Sequence, residues 1–149
     1  MTPASDSTAL DRQLAYLVFR ITLGFNIGVL GAVRIFGPGA PAFATSMANE
    51  FKQTALPAGA IYGFMIVVPF AEFALGLFTT LGLFTRWALT LGGALIAILV
   101  LGTALRGDWN TLAVQMIYAM TYYLLLVSRS NNRISLDTLL LARRRKPAY

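Results

Sequence analysis

The sequence predicts an all-α integral membrane protein, a four-helix bundle with short amphipathic helices at the membrane surfaces. Of its 149 residues, 57% are hydrophobic and only 12% charged, and the mean hydropathy is +0.67; a water-exposed domain carries about twice that share of charge. Four apolar runs cover residues 14–36, 58–84, 87–105 and 109–127, each near or above the ~20 residues that cross a hydrocarbon core about 30 Å thick. The links after the second and third runs are very short, which makes their helices antiparallel neighbours. Length leaves room for one domain, residues 1–149, with 129–149 as a basic amphipathic tail.

Met1 to Thr8 are small and polar and are expected to be disordered. No positively charged region or cleavage site accompanies the first run, which is too long for a signal peptide and is expected to remain as a span. Gly37-Pro38-Gly39 ends it. From Pro41 to Gln53, Phe43, Met47 and Phe51 recur at helical spacing opposite Thr45, Ser46, Asn49, Glu50 and Lys52. That pattern predicts a surface helix covering the bundle or acting as a lid over a pocket. Pro57 suits a helix start, where its missing N–H is harmless. Thr85-Arg86 and Arg106-Gly107-Asp108 make the two tight turns, and Trp109 suits an interfacial anchor. In the tail, Ser135 can cap a helix whose face is Leu136, Leu139 and Leu140; Arg143 to Lys146 close it and can contact anionic lipid or an acidic partner.

With four spans both termini share a side. That side carries Arg12, Arg86, Arg129, Arg133 and the run Arg143 to Lys146, against Arg34, Lys52 and Arg106 opposite. The positive-inside rule places both termini in the cytoplasm of a multi-pass cell inner membrane protein. The net charge of +6 is thus a topology signal, not a nucleic-acid footprint. With no His and no Cys, the chain alone offers no bis-His haem ligation, Cys-bound iron–sulfur cluster, usual zinc site or His base. A redox role therefore requires a diffusible cofactor or one carried by a partner.

Glu72 stands in the middle of the second run. A carboxylate at that depth costs about 2.5–3.5 kcal/mol on insertion scales, so it needs a partner or a task. At 1.5 Å per residue, Asn26 and Tyr122 come level with Glu72 and Arg20 lies one to two turns below, within reach of a long guanidinium. The expected cluster is therefore Arg20 paired with Glu72, with Asn26, Tyr118 and Tyr122 alongside. Such a pair can fix helix register, or border a headgroup or quinone pocket in which the carboxylate handles a proton. Pro69 frees the carbonyl of Met65 and predicts a kink one turn before Glu72. Gln115 adds a polar group to the fourth span, and Gly24, Gly28 and Ala32, with Gly76 and Thr80, predict close helix packing.

Several short motifs occur in order: Phe19-Arg20-Ile21 with Gly24; Gly31-Ala32-Val33-Arg34-Ile35-Phe36; Glu72 with Gly76 and Leu81-Gly82-Leu83-Phe84-Thr85-Arg86; and Ile134-Ser135-Leu136-Asp137. In these the chain resembles the DoxX/DoxD-like family of small four-helix membrane proteins over nearly its whole length. Members often carry a His where this chain has Leu30. The resemblance implies a membrane subunit of a quinone-linked oxidoreductase such as thiosulfate:quinone oxidoreductase, or a membrane partner in redox-stress complexes. On that reading Glu72 and Arg20 are the catalytic candidates, Asn26, Tyr118 and Tyr122 the quinone-site candidates, and no metal is bound. Partners are lipids and other subunits, with a homo-oligomer left open. The alternatives are a non-catalytic anchor or assembly subunit and, behind it, a small transporter or lipid-binding protein.

Overall fold

In a computed structural model, residues 3–144 are described, and among them every regular element is a helix. Helix α1 spans Pro3–Phe36, α2 Ala40–Glu50, α3 Ala58–Leu81, α4 Thr85–Arg106 and α5 Trp109–Val127. A 3₁₀ turn at Arg129–Asn131 leads to α6, Leu136–Arg144. Helices α1, α3, α4 and α5 are each long and apolar enough to cross a membrane, so the chain is a multi-pass membrane protein. Large apolar side chains point outward on every span, among them Phe25, Val67, Leu101 and Ile117. A membrane bundle turns such residues toward lipid.

Helix α1 begins upstream of the expected point. Residues 4–9 are small or polar and contain no helix breaker. Met1 and Thr2 lie outside the described residues, as do the side chains of Arg143 and Arg144 and all of Arg145 and Lys146. Helix α3 ends at Leu81, three residues before the expected boundary, because Gly82 takes a left-handed conformation, φ 65°. A side chain on Gly82 would also collide with the Arg20 guanidinium. Helix α3 runs on through Pro69. The turn to α4 is fastened from below: the Asp137 carboxylate accepts from Phe84 N and Thr85 N, both at 2.8 Å.

The tightest seam is α1 against α3. A Cβ on Gly24 would lie 2.5 Å from Thr80 N, one on Gly31 2.5 Å from Pro69 O, and one on Gly76 would run into Gly28. Backbones touch there without intervening side chains. Ala32 lies beside Gly24, Gly28, Gly76 and Thr80 as the sequence predicts, and Gly31 joins the stripe of close approach. Around α1 the remaining neighbours differ: α4 packs along both α3 and α5, whereas α5 meets α1 only sparsely. Two apolar cores result. One joins Tyr16, Leu23 and Ile27 to Leu89, Ile96, Tyr122 and Leu125; the other joins Ala44 and Phe51 to Ile61, Met65 and Val68 and so seats α2 on α3.

Candidate functional site

Side chains on a helix lean toward its N-terminus. Helix α1 starts on the face bearing both chain ends, so Arg20 leans toward that face and Arg34, near the other end, leans into the membrane. Helix α3 runs oppositely, and Glu72 leans toward the face carrying α2. Glu72 and Arg34 therefore converge: Arg34 Nη1 donates to both carboxylate oxygens, Oε1 and Oε2. Glu72 is only 4% exposed. The guanidinium also lies over the Phe43 ring, 4.7 Å from its centroid, which ties the pair to α2.

The expected Arg20–Glu72 pair is not made. Arg20, 2% exposed, donates from Nη1 to Asn132 Oδ1 at 2.7 Å and from Nη2 to the Ile134 carbonyl at 3.1 Å. Asn132 passes the link on to Thr85 Oγ1 at 3.0 Å. The glycine contacts explain the correction. They set Gly31 against Pro69 and Phe73, and Gly28 against Gly76, so Glu72 faces the level of Leu30 and Gly31 and not that of Asn26. Depth counted from apolar boundaries misplaced the register by about one turn.

Asn26 and Tyr118 do meet, on another face: Tyr118 donates to Asn26 Oδ1 at 2.9 Å, bridging α1 and α5. Tyr122 is buried with its ring against Gly92, where a Cβ would lie 2.5 Å from it. The structure thus does not gather the five expected residues into one hydrogen-bonded cluster: Arg20 turns to the tail, Glu72 pairs with Arg34, Asn26 meets Tyr118 and Tyr122 packs on Gly92.

A group that sequence reasoning did not assemble closes the α2 face. Arg106, in the last turn of α4, donates from Nη1 to Glu50 of α2 and from Nη2 to Asp108 Oδ2 at 3.0 Å. It also lies 5.4 Å from the centroid of Phe51. Asp108 caps α5 by accepting from Thr111 N at 3.1 Å, and hydrogen bonding from Thr111, side chain first and backbone second, holds its carboxyl below the usual range. In the sequence Arg34 and Arg106 read as charges on the side opposite the termini, Arg34 also within a family motif, and nothing local marks residues so far apart as neighbours. The one available signal was Asp108 before an apolar run, an N-cap pattern.

Between α2 and the spans lies a cavity of about 300 Å³. Phe43, Met47, Phe51, Met65, Val68 and Leu99 form its apolar wall, and Arg34, Glu50, Thr103, Arg106, Asp108, Thr111 and Gln115 supply polar groups. Arg20, Asn26, Tyr118 and Tyr122 do not line it. Two lining atoms are buried without a hydrogen-bond partner among the described residues, the donor Arg106 Nε and the acceptor Gln115 Oε1. Arg34 and Arg106 are answered by three carboxylates, Glu72, Glu50 and Asp108. The site therefore has no surplus positive charge for an anion and suits a neutral ligand that both accepts and donates hydrogen bonds.

A family model described as DoxD, TQO small subunit DoxD, matches residues 42–148. That range holds Glu72, Arg106, Asp108 and Gln115 and leaves out all of α1. No curated protein and no solved structure matches the chain.

Proposed function

The chain belongs to the DoxD family of TQO small subunits, and from that membership we propose that it is the membrane subunit of a redox complex in which a partner oxidoreductase delivers electrons to quinone, with the quinone head in the α2 cavity. The observation that carries this reading is the orphaned pair in one cavity, Arg106 Nε and Gln115 Oε1. The donor set fits: the Arg106 N–H can donate to a ring carbonyl, and the Gln115 oxygen can accept from a ring hydroxyl. A volume near 300 Å³ is at the lower end for small-molecule sites and accommodates a ring, not an isoprenoid tail.

A quinone supplies two-electron, two-proton chemistry within the membrane. Arg34 presents a fixed positive charge at the cavity wall, and Glu72 positions that guanidinium from behind while balancing its charge. Phe43 and Phe51 exclude water, and α2 shields the cavity from the surface. The excess of Lys and Arg on the opposite face supports a cytoplasmic location for both termini, with the cavity toward the other side.

The test is purification in a mild detergent, followed by cofactor analysis and quinone-reduction assays on whatever assembly is recovered. A flavin-, haem- or iron–sulfur-bearing partner is expected, and Gln115→Leu should leave yield intact while raising the KM for a short-chain quinone about tenfold. Isolation as a cofactor-free homo-oligomer would count for the anchor reading. An unchanged KM in Gln115→Leu would remove the cavity from the reaction.

A further inference from the structure

On the face bearing both chain ends, the sparse contact between α1 and α5 leaves a groove of about 750 Å³. Most of its polar groups, its guanidinium among them, gather at one end, with Thr22 the exception farther along. Arg12 and Tyr16 come from the first turns of the α1 span, and Ser128 and Asn131 from the chain just after α5. Farther along, Val18, Phe19, Leu124 and Leu125 make the walls apolar, and Arg12 to Thr22 covers about 15 Å at 1.5 Å per residue. A groove polar at the surface and apolar toward the interior matches an amphiphile.

Tyr16 distinguishes this groove from ordinary lipid-facing surface. Its residue is 5% exposed, its ring belongs to the core with Leu89, Tyr122 and Leu125, and its hydroxyl is buried without a hydrogen-bond partner among the described residues. A buried phenol without a partner is uncommon, since its O–H ordinarily finds one. The lining residues include a guanidinium and no carboxylate. The charges of Arg20 and Arg129 also bear on the Tyr16 hydroxyl. The α2 cavity differs, since its lining sets two carboxylates against two guanidiniums.

We propose that the α1–α5 groove is a binding site for one anionic phospholipid, its phosphate accepting from the Tyr16 hydroxyl and the Arg12 guanidinium and its acyl chain lying between Phe19 and Leu124. Phosphate oxygens are acceptors only, and so answer a donor in a positive field better than a neutral carbonyl does. The site is independent of the quinone reading, because it lies at the other end of the bundle and is read by lipid retention, not turnover.

The experiment is native mass spectrometry of the full chain in mild detergent, titrated separately with phosphatidylglycerol and phosphatidylcholine of matched chains. One phosphatidylglycerol per chain should be retained at concentrations that retain no phosphatidylcholine. Tyr16→Phe keeps the packed ring and should weaken that retention about tenfold. Arg12→Gln, at an exposed position, should weaken it in the same direction and decides the matter should Tyr16→Phe fold poorly. Equal retention of the two lipids, or undiminished retention in Arg12→Gln, overturns the proposal. So does displacement of the phospholipid by a short-chain quinone, which would assign the groove to quinone instead.

Discussion

Arg20 and Arg34 are the same residue on the same helix, fourteen positions apart, close to four turns or about 21 Å. Both are drawn from one side of α1, yet their solutions differ. Arg20 bonds to neutral acceptors, an amide and a backbone carbonyl, whereas Arg34 bonds to a carboxylate. The difference follows from helix polarity. Midway along α1, Arg20 leans back toward the face bearing the chain ends, where polar chain from the tail meets it. Arg34, near the end, leans inward, where only a counter-ion makes the charge tolerable. Buried arginines in a membrane bundle are thus sorted by the direction of their helix as well as by depth.

The sharpest way to break this comparison is to remove each guanidinium and ask whether Glu72 notices. Arg34→Gln leaves a carboxylate buried without its cation, and should cost about 3–5 kcal/mol of unfolding free energy in detergent. Adding Glu72→Gln should restore most of it, since two neutral amides then face each other. Reversible denaturation of the two single variants and the double variant measures the coupling. Additive losses would show that the ion pair does not hold α1 to α3.

Arg20→Lys should have the smaller effect, about 1.5–3 kcal/mol, since an ammonium cannot reproduce the planar fork that reaches Asn132 and Ile134 together. Here Glu72→Gln should give no rescue: the two losses should add within about 0.5 kcal/mol, as expected of distant sites. Coupling between Arg20 and Glu72 in the same denaturation assay would reinstate the pairing that the sequence suggested.

Hydropathy made the spans legible, and α5 begins and ends at the expected residues, Trp109 and Val127. It also made α2 legible through Phe43, Met47 and Phe51, the last of which is fully seated in a core. What it could not supply was register. Helix α1 starts at Pro3 and α3 stops at Leu81, and neither end is marked by a change in hydropathy. The alignment of α1 and α3 is set by Gly24, Gly28, Gly31 and Gly76 in backbone contact. A shift of one turn in that alignment decides whether Arg20 or Arg34 is available to Glu72. The α2 cavity was less legible still, since Glu50, Arg106 and Gln115 are brought together only by the tertiary fold.

Arg106 is the intermediate case and yields the smallest effect. Its guanidinium is shared between Glu50 and Asp108, which are both substantially exposed, so solvent screens the pair and little stability rests on it. The Asp108 contribution should still show in a pH titration. Hydrogen bonding from Thr111 lowers the folded carboxyl pKa below its ordinary 3.8. A group depressed on folding contributes stability that is fully present above the unfolded value and is lost as pH falls through the folded one. Other acids titrate in the same range, so the quantity to follow is the difference in melting temperature between wild type and Asp108→Asn, which keeps an N-cap oxygen but cannot ionise. That difference should be flat from pH 7 to about pH 5 and shrink only below about pH 4. A difference that changes near neutral pH would mean that Asp108 is not the exposed, hydrogen-bonded cap seen here, and that the loop-side arginines share one buried network with Glu72.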